Sequence, residues 1–394
     1  MRDLLFVSHR FPYPLNKGEK IRAYHLLRHL APEWRIRLGC LVEDPDDLAH
    51  LPVLREICAE VAAFRIDKRV QKLRALARAR PGRPLMLDYY RHPGLGRWVA
   101  ARLPGADVAY IYSAAMAPYV LDLPPSRARR LLDMQDIDSE KWTRYAADAA
   151  WPMRAVWARE GRTLLAYERR AAAACDATFF VTQAEARRFA ELAPEVADRL
   201  DHVECGVDLG FFSPDHVFPS PYPGPARRAV FIGNMDYWPN ADAAAWFATE
   251  ILPRIAPRPE FWIVGANPGP ETRRLAELPG VHVTGRVADV RPYLAHADVS
   301  VSPLRIARGI QNKVLEAMAA GRPVVASPGA FEGIRAQPGR DLLVADGAAA
   351  IAETVGAVLS GAHPGLGAAG RAAVEAGYAW PAVLGRLDAL LGRL

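Results

Sequence analysis

The clearest pattern for chemistry lies between Ser302 and Ser327, where a strand, a short glycine-containing loop and a helix follow one another. The strand is predicted to end at Pro303 and the helix to begin near Ile310. Free N–H groups and the positive dipole end at the start of a helix bind phosphate, and Lys313 adds a positive charge. We therefore predict a diphosphate site built from Gly309, Ile310, Gln311, Asn312 and Lys313.

Glu316 follows Lys313 by three residues, so the two side chains share one face of the predicted helix. A carboxylate one turn beyond the phosphate loop lies at a suitable depth to accept hydrogen bonds from both hydroxyls of a ribose. The alternative is a plain surface carboxylate on a helix that is otherwise buried by apolar neighbours such as Leu315 and Met318.

Two further carboxylates, Asp136 and Asp138, follow an apolar predicted strand that ends at Asp133. Loops at the carboxyl ends of parallel strands form ligand sites, so we predict that both residues face an acceptor, with Asp136 as a catalytic candidate. The alternative for both is helix capping, because Asp138 is followed by Ser139 and Glu140. We rank metal binding by this Asp-x-Asp triplet below the acceptor role, and no metal site is expected.

Short apolar runs of β type alternate with segments of helical spacing along the whole chain, which predicts parallel α/β layers in two similar units. No dinucleotide fingerprint or Walker loop is found, which argues against a dehydrogenase or an ATPase. The predicted strands are Leu4–Ser8, Ile36–Val42, Val108–Tyr112, Arg130–Asp133, Ala177–Thr182, His202–Cys205, Ala229–Ile232, Phe261–Val264, Val281–Thr284, Val299–Ser302, Pro323–Ala326 and Leu342–Val344.

The proline-rich segment from Phe212 to Arg228 is interpreted as an interdomain linker. We expect an N-terminal Rossmann-like domain over residues 1–201, a C-terminal Rossmann-like domain over residues 202–370, and helices over residues 371–394 that pack back on the N-terminal domain. Trp380-Pro381 is predicted to interrupt that last helical segment, because proline suits a helix start and not an interior.

The chain of 394 residues is longer than one hydrophobic core usually serves. With 51% hydrophobic and 24% charged residues it has enough apolar material for folded cores. Four scattered cysteines indicate neither a zinc site nor a disulfide framework, so a reducing cytoplasm is expected. No signal-peptide pattern or membrane-spanning stretch is recognised.

The net charge of +6 is unevenly distributed, because residues 65–83 carry eight cations and one acid. If residues 69–80 form a helix, Val70, Leu73, Leu76 and Ala77 share one face. This pattern suits an anionic membrane surface, and an ordinary solvated helix is the equal alternative. Nucleic acid is not an expected partner, because the segment lacks interleaved aromatic residues.

The stretch Lys313-x-x-Glu316-Ala-Met-Ala-x-Gly-x-Pro-Val-Val-Ala-Ser327 resembles the donor-site signature of glycosyltransferase family 4, a retaining family with the GT-B fold. Supporting motifs extend the resemblance over nearly all of residues 202–345. They are Gly206-Val207-Asp208 followed by Phe212-Ser213-Pro214, Phe231-Ile232-Gly233-Asn234-Met235, and Gly285-Arg286-Val287 leading to His296-Ala297-Asp298-Val299. The resemblance implies two Rossmann-like domains facing a cleft, a UDP- or GDP-sugar donor and no cofactor. It adds Gly233, Asn234, Arg286 and Val287 as donor contacts.

The N-terminal half resembles the branch of that family associated with exosortase and exopolysaccharide systems, through Phe11–Arg22, Asp136–Trp142 and Tyr167–Arg169. This implies that Gly18 lets the backbone approach the donor phosphates and that Lys17, Glu19, Arg22 and Asp138 contact the acceptor. The alternative for the loop from Pro14 to Lys20 is a solvated basic loop.

One departure bears on mechanism, since Arg308 stands where the family usually has a glutamate, eight residues before the ribose-binding one. Arg308 can pair with phosphate, so it joins Asp136 and Lys313 as a catalytic candidate. Asn234 and Asn240 stand near positions where the family tends to carry Arg and Lys, so Lys313, Arg305, Arg308 and Arg286 are the candidates to meet the diphosphate charge.

The resemblance implies a retaining transfer of a sugar to a hydroxyl of a glycan or lipid-linked acceptor, in exopolysaccharide or cell-surface glycan synthesis. The expected location is the cytoplasm, including the inner face of the cell membrane. Two alternatives are a sugar-nucleotide epimerase with the same fold and a non-catalytic nucleotide-sugar-binding protein, which Arg308 favours.

Overall fold

The computed structural model describes residues 1–307 and 309–392, and the chain divides into two compact units. The first unit combines Met1–Glu204 with the chain from Leu384 onward, and the second comprises Cys205–Val383. Each unit has its own sheet and its own buried apolar core.

The first unit contains a seven-stranded parallel sheet with the strand order β3-β2-β1-β4-β5-β6-β7. The central strands are buried on both faces, as expected when helices cover a parallel sheet. The strands are β1 Arg2–Ser8, β2 Trp34–Val42, β3 Glu60–Arg65, β4 Val108–Tyr112, β5 Arg129–Gln135, β6 Ala177–Phe180 and β7 Leu200–His202.

The helices of the first unit connect these strands in chain order. They are α1 Gly18–Leu30, α2 Leu51–Ile57, α3 Lys68–Ala77, α4 Leu85–Tyr89, α5 Pro93–Arg102, α6 Pro118–Leu121, α7 Asp138–Asp148, α8 Met153–Ala173 and α9 Gln183–Leu192. Short 3-10 turns occupy Pro45–His50, Leu103–Gly105, Ala114–Met116 and Pro194–Arg199.

The second unit contains a six-stranded parallel sheet with the order β10-β9-β8-β11-β12-β13. Its strands are β8 Arg228–Ile232, β9 Glu260–Val264, β10 Val281–Gly285, β11 Val299–Ser302, β12 Val324–Ala326 and β13 Leu343–Val344. The two sheets share one arrangement, in which the order reverses beside the first strand, so each unit is a Rossmann-like doubly wound fold. The expected fold class is confirmed.

The helices of the second unit are α10 Trp238–Trp246, α11 Pro270–Arg274, α12 Arg291–Ala295, α13 Asn312–Ala319, α14 Pro328–Phe331, α15 Ala348–Leu359 and α16 Leu366–Tyr378. A π turn at Phe247–Ile251 and 3-10 turns at Leu252–Arg254 and Leu275–Glu277 complete it. Helix α17, Trp380–Gly392, begins with proline in its first turn, so the break predicted at Trp380-Pro381 is present.

The compact units divide the chain at other residues than the sequence suggested. The boundary lies between Glu204 and Cys205, and α16 belongs to the second unit, where Arg371 donates to the carbonyl oxygens of Phe212 and Ala319. Only the chain from Leu384 onward joins the first unit, where Arg386 pairs with Asp201. Among the helices of the described residues, none has the length and apolar character needed to cross a membrane.

Candidate functional site

Except for Gly18, which begins α1 in the first unit, the residues predicted to bind a donor gather at one edge of the second unit's sheet. Gly233 and Asn234 follow β8, Arg286 and Val287 follow β10, and the loop after β11 leads into α13. Because all strands are parallel, their carboxyl ends meet at this edge, where ligands of doubly wound folds bind.

Lys313 is fixed against the end of β8. Its Nζ atom donates to Asn240 Oδ1 and lies 4.9 Å from the centroid of the Phe231 ring. Asn240, which is buried on α10, in turn donates through Nδ2 to the carbonyl oxygen of Asn234 (2.9 Å). Burial lowers the pKa of Lys313 to about 8, and the charge of Glu316 opposes that shift. The ammonium group is thus held at the strand ends with little solvent to stabilise its charge.

The loop before α13 places backbone N–H groups at the same edge. Gly309 has a φ of +65°, in the left-handed region that favours glycine, and its carbonyl oxygen accepts from Gln311 Nε2 (3.1 Å). Val314 is bonded back to the carbonyl of Gln311 (2.9 Å), so the N–H groups of Asn312 and Lys313 precede the helical ladder. These are the groups that bind an anion at a helix start.

Glu316 lies one turn further along α13 and keeps partial contact with solvent. Burial nevertheless raises the pKa of Glu316 to about 7, while Lys313 lowers it. A plain surface carboxylate would not be desolvated in this way. Lys313 and Glu316 therefore form a poorly hydrated pair of opposite charges at the edge of the sheet.

Two glycines bring the loops after β8 and β9 into backbone contact. Gly265 has a φ of +151°, and a Cβ atom there would lie 1.8 Å from the carbonyl oxygen of Gly233. Gly233 itself leaves room for Asn240, whose Nδ2 atom would lie 2.8 Å from an added Cβ. Sequence reasoning missed Gly265, and its available signal is the run Val264-Gly265-Ala266-Asn267 directly after a buried strand.

The other predicted cations occupy different surroundings. Arg305 pairs with Asp242 on α10 and its guanidinium lies 5.4 Å from the Trp246 ring, so its charge is already countered. Arg286 is exposed after Gly285. Arg308, a predicted catalytic residue, lies outside the described residues. Val287 and Ile310 also pack against the core of the second unit, which gives these two predicted donor contacts a role in packing.

A second set of polar residues lies at the carboxyl ends of the strands in the first unit. Arg10, which follows β1, pairs with Glu19 at the start of α1 and with Glu43 after β2, at 3.1 Å in each case. His9 is buried beside it, and burial, with a contribution from Arg10, lowers the pKa of His9 to about 4. Sequence reasoning missed His9, Arg10 and Glu43, although His9-Arg10 directly follows the first strand.

The site residues predicted at the start of α1 have different surroundings. Glu19 belongs to the cluster around Arg10, Gly18, the predicted donor contact, is the exposed first residue of α1, and Lys17 is half-buried next to it. Burial, followed by the charge of Arg10, lowers the pKa of Lys17.

Arg22 differs from its predicted role as an acceptor contact. It is 1% exposed and donates to Asp133 Oδ2 and to the carbonyl oxygens of Val203 and Glu204. Asp133 also accepts from the hydroxyl of Tyr110 (2.8 Å). Arg22 thus links α1, β5 and the chain after β7 from inside the fold, where a buried cation requires such partners.

Asp136 follows β5, Asp138 is the first residue of α7, and Glu185 of α9 interacts with both carboxylates. Surrounding protein atoms raise the pKa of Asp136, although its side chain reaches solvent, and raise that of Asp138 to about 6. Burial and then the charge of Asp136 raise the pKa of Glu185 to about 9, so Glu185 is a neutral acid beside Asp136 at neutral pH. Ile137 occupies the N-cap position of α7, so Asp138 is not its cap.

Within the described residues, no group of three His, Cys, Asp or Glu side chains is arranged to hold a metal ion.

One segment of the sequence matches a glycosyltransferase family model, and the fold matches that of solved glycosyltransferases. Residues 226–361 match the family model described as glycosyl transferases group 1, and no curated protein matches the sequence. Sucrose-phosphate synthase from Thermosynechococcus elongatus aligns over 100% of this chain and 99% of its own, with a TM-score of 0.72 and 18% identity. HepE from Anabaena, in complex with UDP and glucose, aligns over 100% of both chains with a TM-score of 0.69 and 14% identity.

WaaG, a glycosyltransferase involved in lipopolysaccharide biosynthesis, aligns over 98% of both chains with a TM-score of 0.66 and 14% identity. At such identities these likenesses show the fold, which is GT-B. Together with the family match over residues 226–361, they support a glycosyltransferase of the GT-B fold.

Proposed function

We propose that this protein transfers a sugar from a nucleoside diphosphate sugar to a hydroxyl group of an acceptor. The observation that carries the proposal is the edge of the second unit, where Lys313, Glu316 and the first N–H groups of α13 lie together. This edge belongs to the segment that matches the glycosyltransferase family model.

In the proposed complex the diphosphate lies at the start of α13. Asn312 and Lys313 offer backbone N–H groups, and the Lys313 ammonium supplies charge. Because the leaving diphosphate gains negative charge as the bond between the anomeric carbon and the phosphate oxygen breaks, donors fixed at this position stabilise the transition state more than the ground state. Arg308 is a further proposed partner of the phosphates.

Glu316 is the proposed partner of the ribose. Its ionised carboxylate accepts hydrogen bonds from both ribose hydroxyls, one turn beyond the diphosphate. The hydroxyl groups of a bound ribose would give this carboxylate the hydrogen bonds that solvent does not. That role accounts for a poorly hydrated charge at a position where it destabilises the fold.

For the donor, UDP-glucose is the first nucleotide sugar to test, because HepE has been solved with UDP and glucose and with UDP-glucose. GDP-sugars are the second class. For the acceptor, we propose the carboxyl-end cluster of the first unit, with Asp136 as the catalytic candidate and Lys17, Glu19 and Asp138 around it.

The finer parts of the proposal rest on the sequence resemblance. They are membership of family 4, retention at the anomeric carbon, a role in exopolysaccharide or cell-surface glycan synthesis, and a cytoplasmic location that includes the inner face of the membrane. No cofactor is proposed besides the nucleotide-sugar substrate.

The test is incubation of the full chain with radiolabelled UDP- and GDP-sugars and a lipid-linked acceptor. We expect label in the acceptor and release of the nucleoside diphosphate. Donor conversion that needs no acceptor would instead indicate an epimerase. Calorimetric binding without any turnover would indicate a nucleotide-sugar-binding protein.

A further inference from the structure

Helix α3 of the first unit faces the protein with its least apolar side. Gln71 and Ala75 are its buried residues, and Gln71 Nε2 donates to the carbonyl oxygens of Tyr89 (2.7 Å) and Arg91 (3.0 Å). Leu73 and Leu76 are instead 68% and 62% exposed. This reverses the usual orientation of an amphipathic helix, in which the apolar stripe faces the core.

The geometry of the helix places its apolar residues in one outward stripe. With about 100° between successive residues, Leu73 points about 180° away from the midpoint of Gln71 and Ala75. By the same spacing, Val70 and Leu76 lie about 60° to either side of Leu73. The exposed cations Lys72 and Arg74 flank this stripe, and the exposed Arg69 lies within it.

A second exposed apolar group lies at the start of α8. Trp151 is 83% exposed just before the helix, and Met153 and Val156 are 44% and 36% exposed in its first turns. Arg159, one turn after Val156, donates through Nη2 to the carbonyl oxygens of Arg80 and Arg83 (2.5 and 3.1 Å). These hydrogen bonds tie the start of α8 to the chain that leaves α3.

We propose that α3 and residues 151–156, here called the basic apolar surface, dock on an anionic lipid bilayer. Apolar side chains beside cations match the boundary between acyl chains and negatively charged headgroups. An exposed apolar patch on a folded unit marks an interaction site. The cations decide the kind of partner, because an apolar protein groove would not require them.

The basic apolar surface begins beside the carboxyl-end cluster of the first unit, where the acceptor is proposed to bind. Lys68, the first residue of α3, lies 3.5 Å from Glu43, and Glu43 pairs with Arg10. A bilayer on the basic apolar surface would therefore hold a lipid-linked acceptor near the polar cluster at the sheet edge. This last step rests on the proposed function, whereas docking itself does not.

The test is sedimentation of the full chain with vesicles of phosphatidylcholine containing phosphatidylglycerol and with vesicles of phosphatidylcholine alone. We expect pelleting with the anionic vesicles only, and release as salt rises, because exposed charges are screened within about 10 Å at 0.1 M salt. The double variant Leu73→Ser/Leu76→Ser should lose at least about tenfold in affinity, since two leucines leave the acyl boundary. Lys72→Glu/Arg74→Glu should lose binding to a similar extent.

The control is Val217→Ser, because Val217 is 96% exposed but lies in the second unit, and it should pellet as the native chain does. The proposal would be overturned if the chain pelleted as well with phosphatidylcholine vesicles as with anionic ones, or if the double leucine variant bound anionic vesicles as the native chain does. Tighter binding to polyuridylate than to anionic vesicles would also overturn it.

Calorimetry with UDP on the same preparations separates this proposal from the proposed function. UDP binding without vesicle binding would refute only the docking surface. Vesicle binding without UDP binding would refute only the donor site.

Discussion

Glu316 is the residue at which the proposed donor site is most directly testable. Its ionised form is needed to accept two ribose hydroxyls, and hydrogen bonds to a charged group contribute about 1.5–3 kcal/mol each. We expect Glu316→Gln to weaken UDP binding at least about tenfold, measured by calorimetry. Arg305→Gln is the matched control, because Arg305 is already paired with Asp242 and should change UDP affinity much less.

The pKa values of the Lys313–Glu316 pair give this site a pH dependence. Glu316 ionises as the pH rises through about 7, and Lys313 loses its charge as the pH rises through about 8. UDP affinity should therefore follow a bell-shaped profile with its maximum between these values. Glu316→Gln should remove the acidic limb and keep the alkaline one. A flat profile in the native chain would refute the assignment of both side chains.

The ionised side chain of Glu316 should also lower the free energy of unfolding. Its folded pKa of about 7 exceeds the ordinary carboxyl value, so the folded state holds a proton that the unfolded state has lost between about pH 4.5 and 7. Stability must fall as the pH rises through that window. We expect Glu316→Gln, without ligand at pH 8, to be about 1–3 kcal/mol more stable in urea unfolding, after allowance for its partial exposure. A loss of stability would mean that the carboxylate is a structural partner.

At the scale of elements, the contact between the loops after β8 and β9 depends on Gly265. A methyl group there meets the Gly233 carbonyl at 1.8 Å and requires a backbone φ of +151°, so the two loops must separate. We expect Gly265→Ala to lower the free energy of unfolding by about 1–3 kcal/mol or more and to abolish UDP binding. Gly269→Ala is the control, since nothing lies within 4 Å of a Cβ there. Equal effects of the two variants would refute the packing argument.

Elements with continuous apolar runs were predictable from the sequence, and a half-buried edge strand was not. Each predicted strand overlaps an observed one, because buried parallel strands are apolar throughout. Strand β3 was missed because Glu60–Arg65 lies at the edge of the sheet and contains two alanines. The helix considered over residues 69–80 is present as α3, Lys68–Ala77, but its apolar stripe faces solvent, which periodicity alone cannot show.

Single-residue roles were harder to predict where a partner comes from a distant element. Arg22 belongs to a motif that resembles an acceptor loop, yet Asp133, which is far away in sequence, holds it in the core. His9 and Arg10 carry no motif, and only the meeting of β1, α1 and the chain after β2 reveals their cluster. Lys313 and Glu316 lie three residues apart on one helix, so local spacing was enough to predict that they lie on one face.

At the scale of the whole molecule, the proposed reaction is divided between the two units. All the donor residues except Gly18 lie in Cys205–Val383, and the acceptor candidates, including Asp136, lie in Met1–Glu204. Asp136→Asn should therefore leave UDP affinity within about twofold of native while it lowers kcat/KM for transfer by about 10²-fold or more, the usual range for a positioned acid or base. Calorimetry and transfer assays on the same preparation measure the two effects.

Glu185→Gln is the matched control for Asp136→Asn, and its expected effect follows from the pKa of Glu185. With a pKa of about 9, Glu185 is neutral at pH 7, and the amide of glutamine is also neutral and able to donate a hydrogen bond. The fold loss of kcat/KM for transfer in Glu185→Gln should therefore be less than about a tenth of the fold loss in Asp136→Asn. Equal losses in the two variants would mean that Glu185 must ionise during transfer. A parallel fall in UDP affinity for Asp136→Asn would instead assign Asp136 to donor binding and remove the proposed separation of roles between the units.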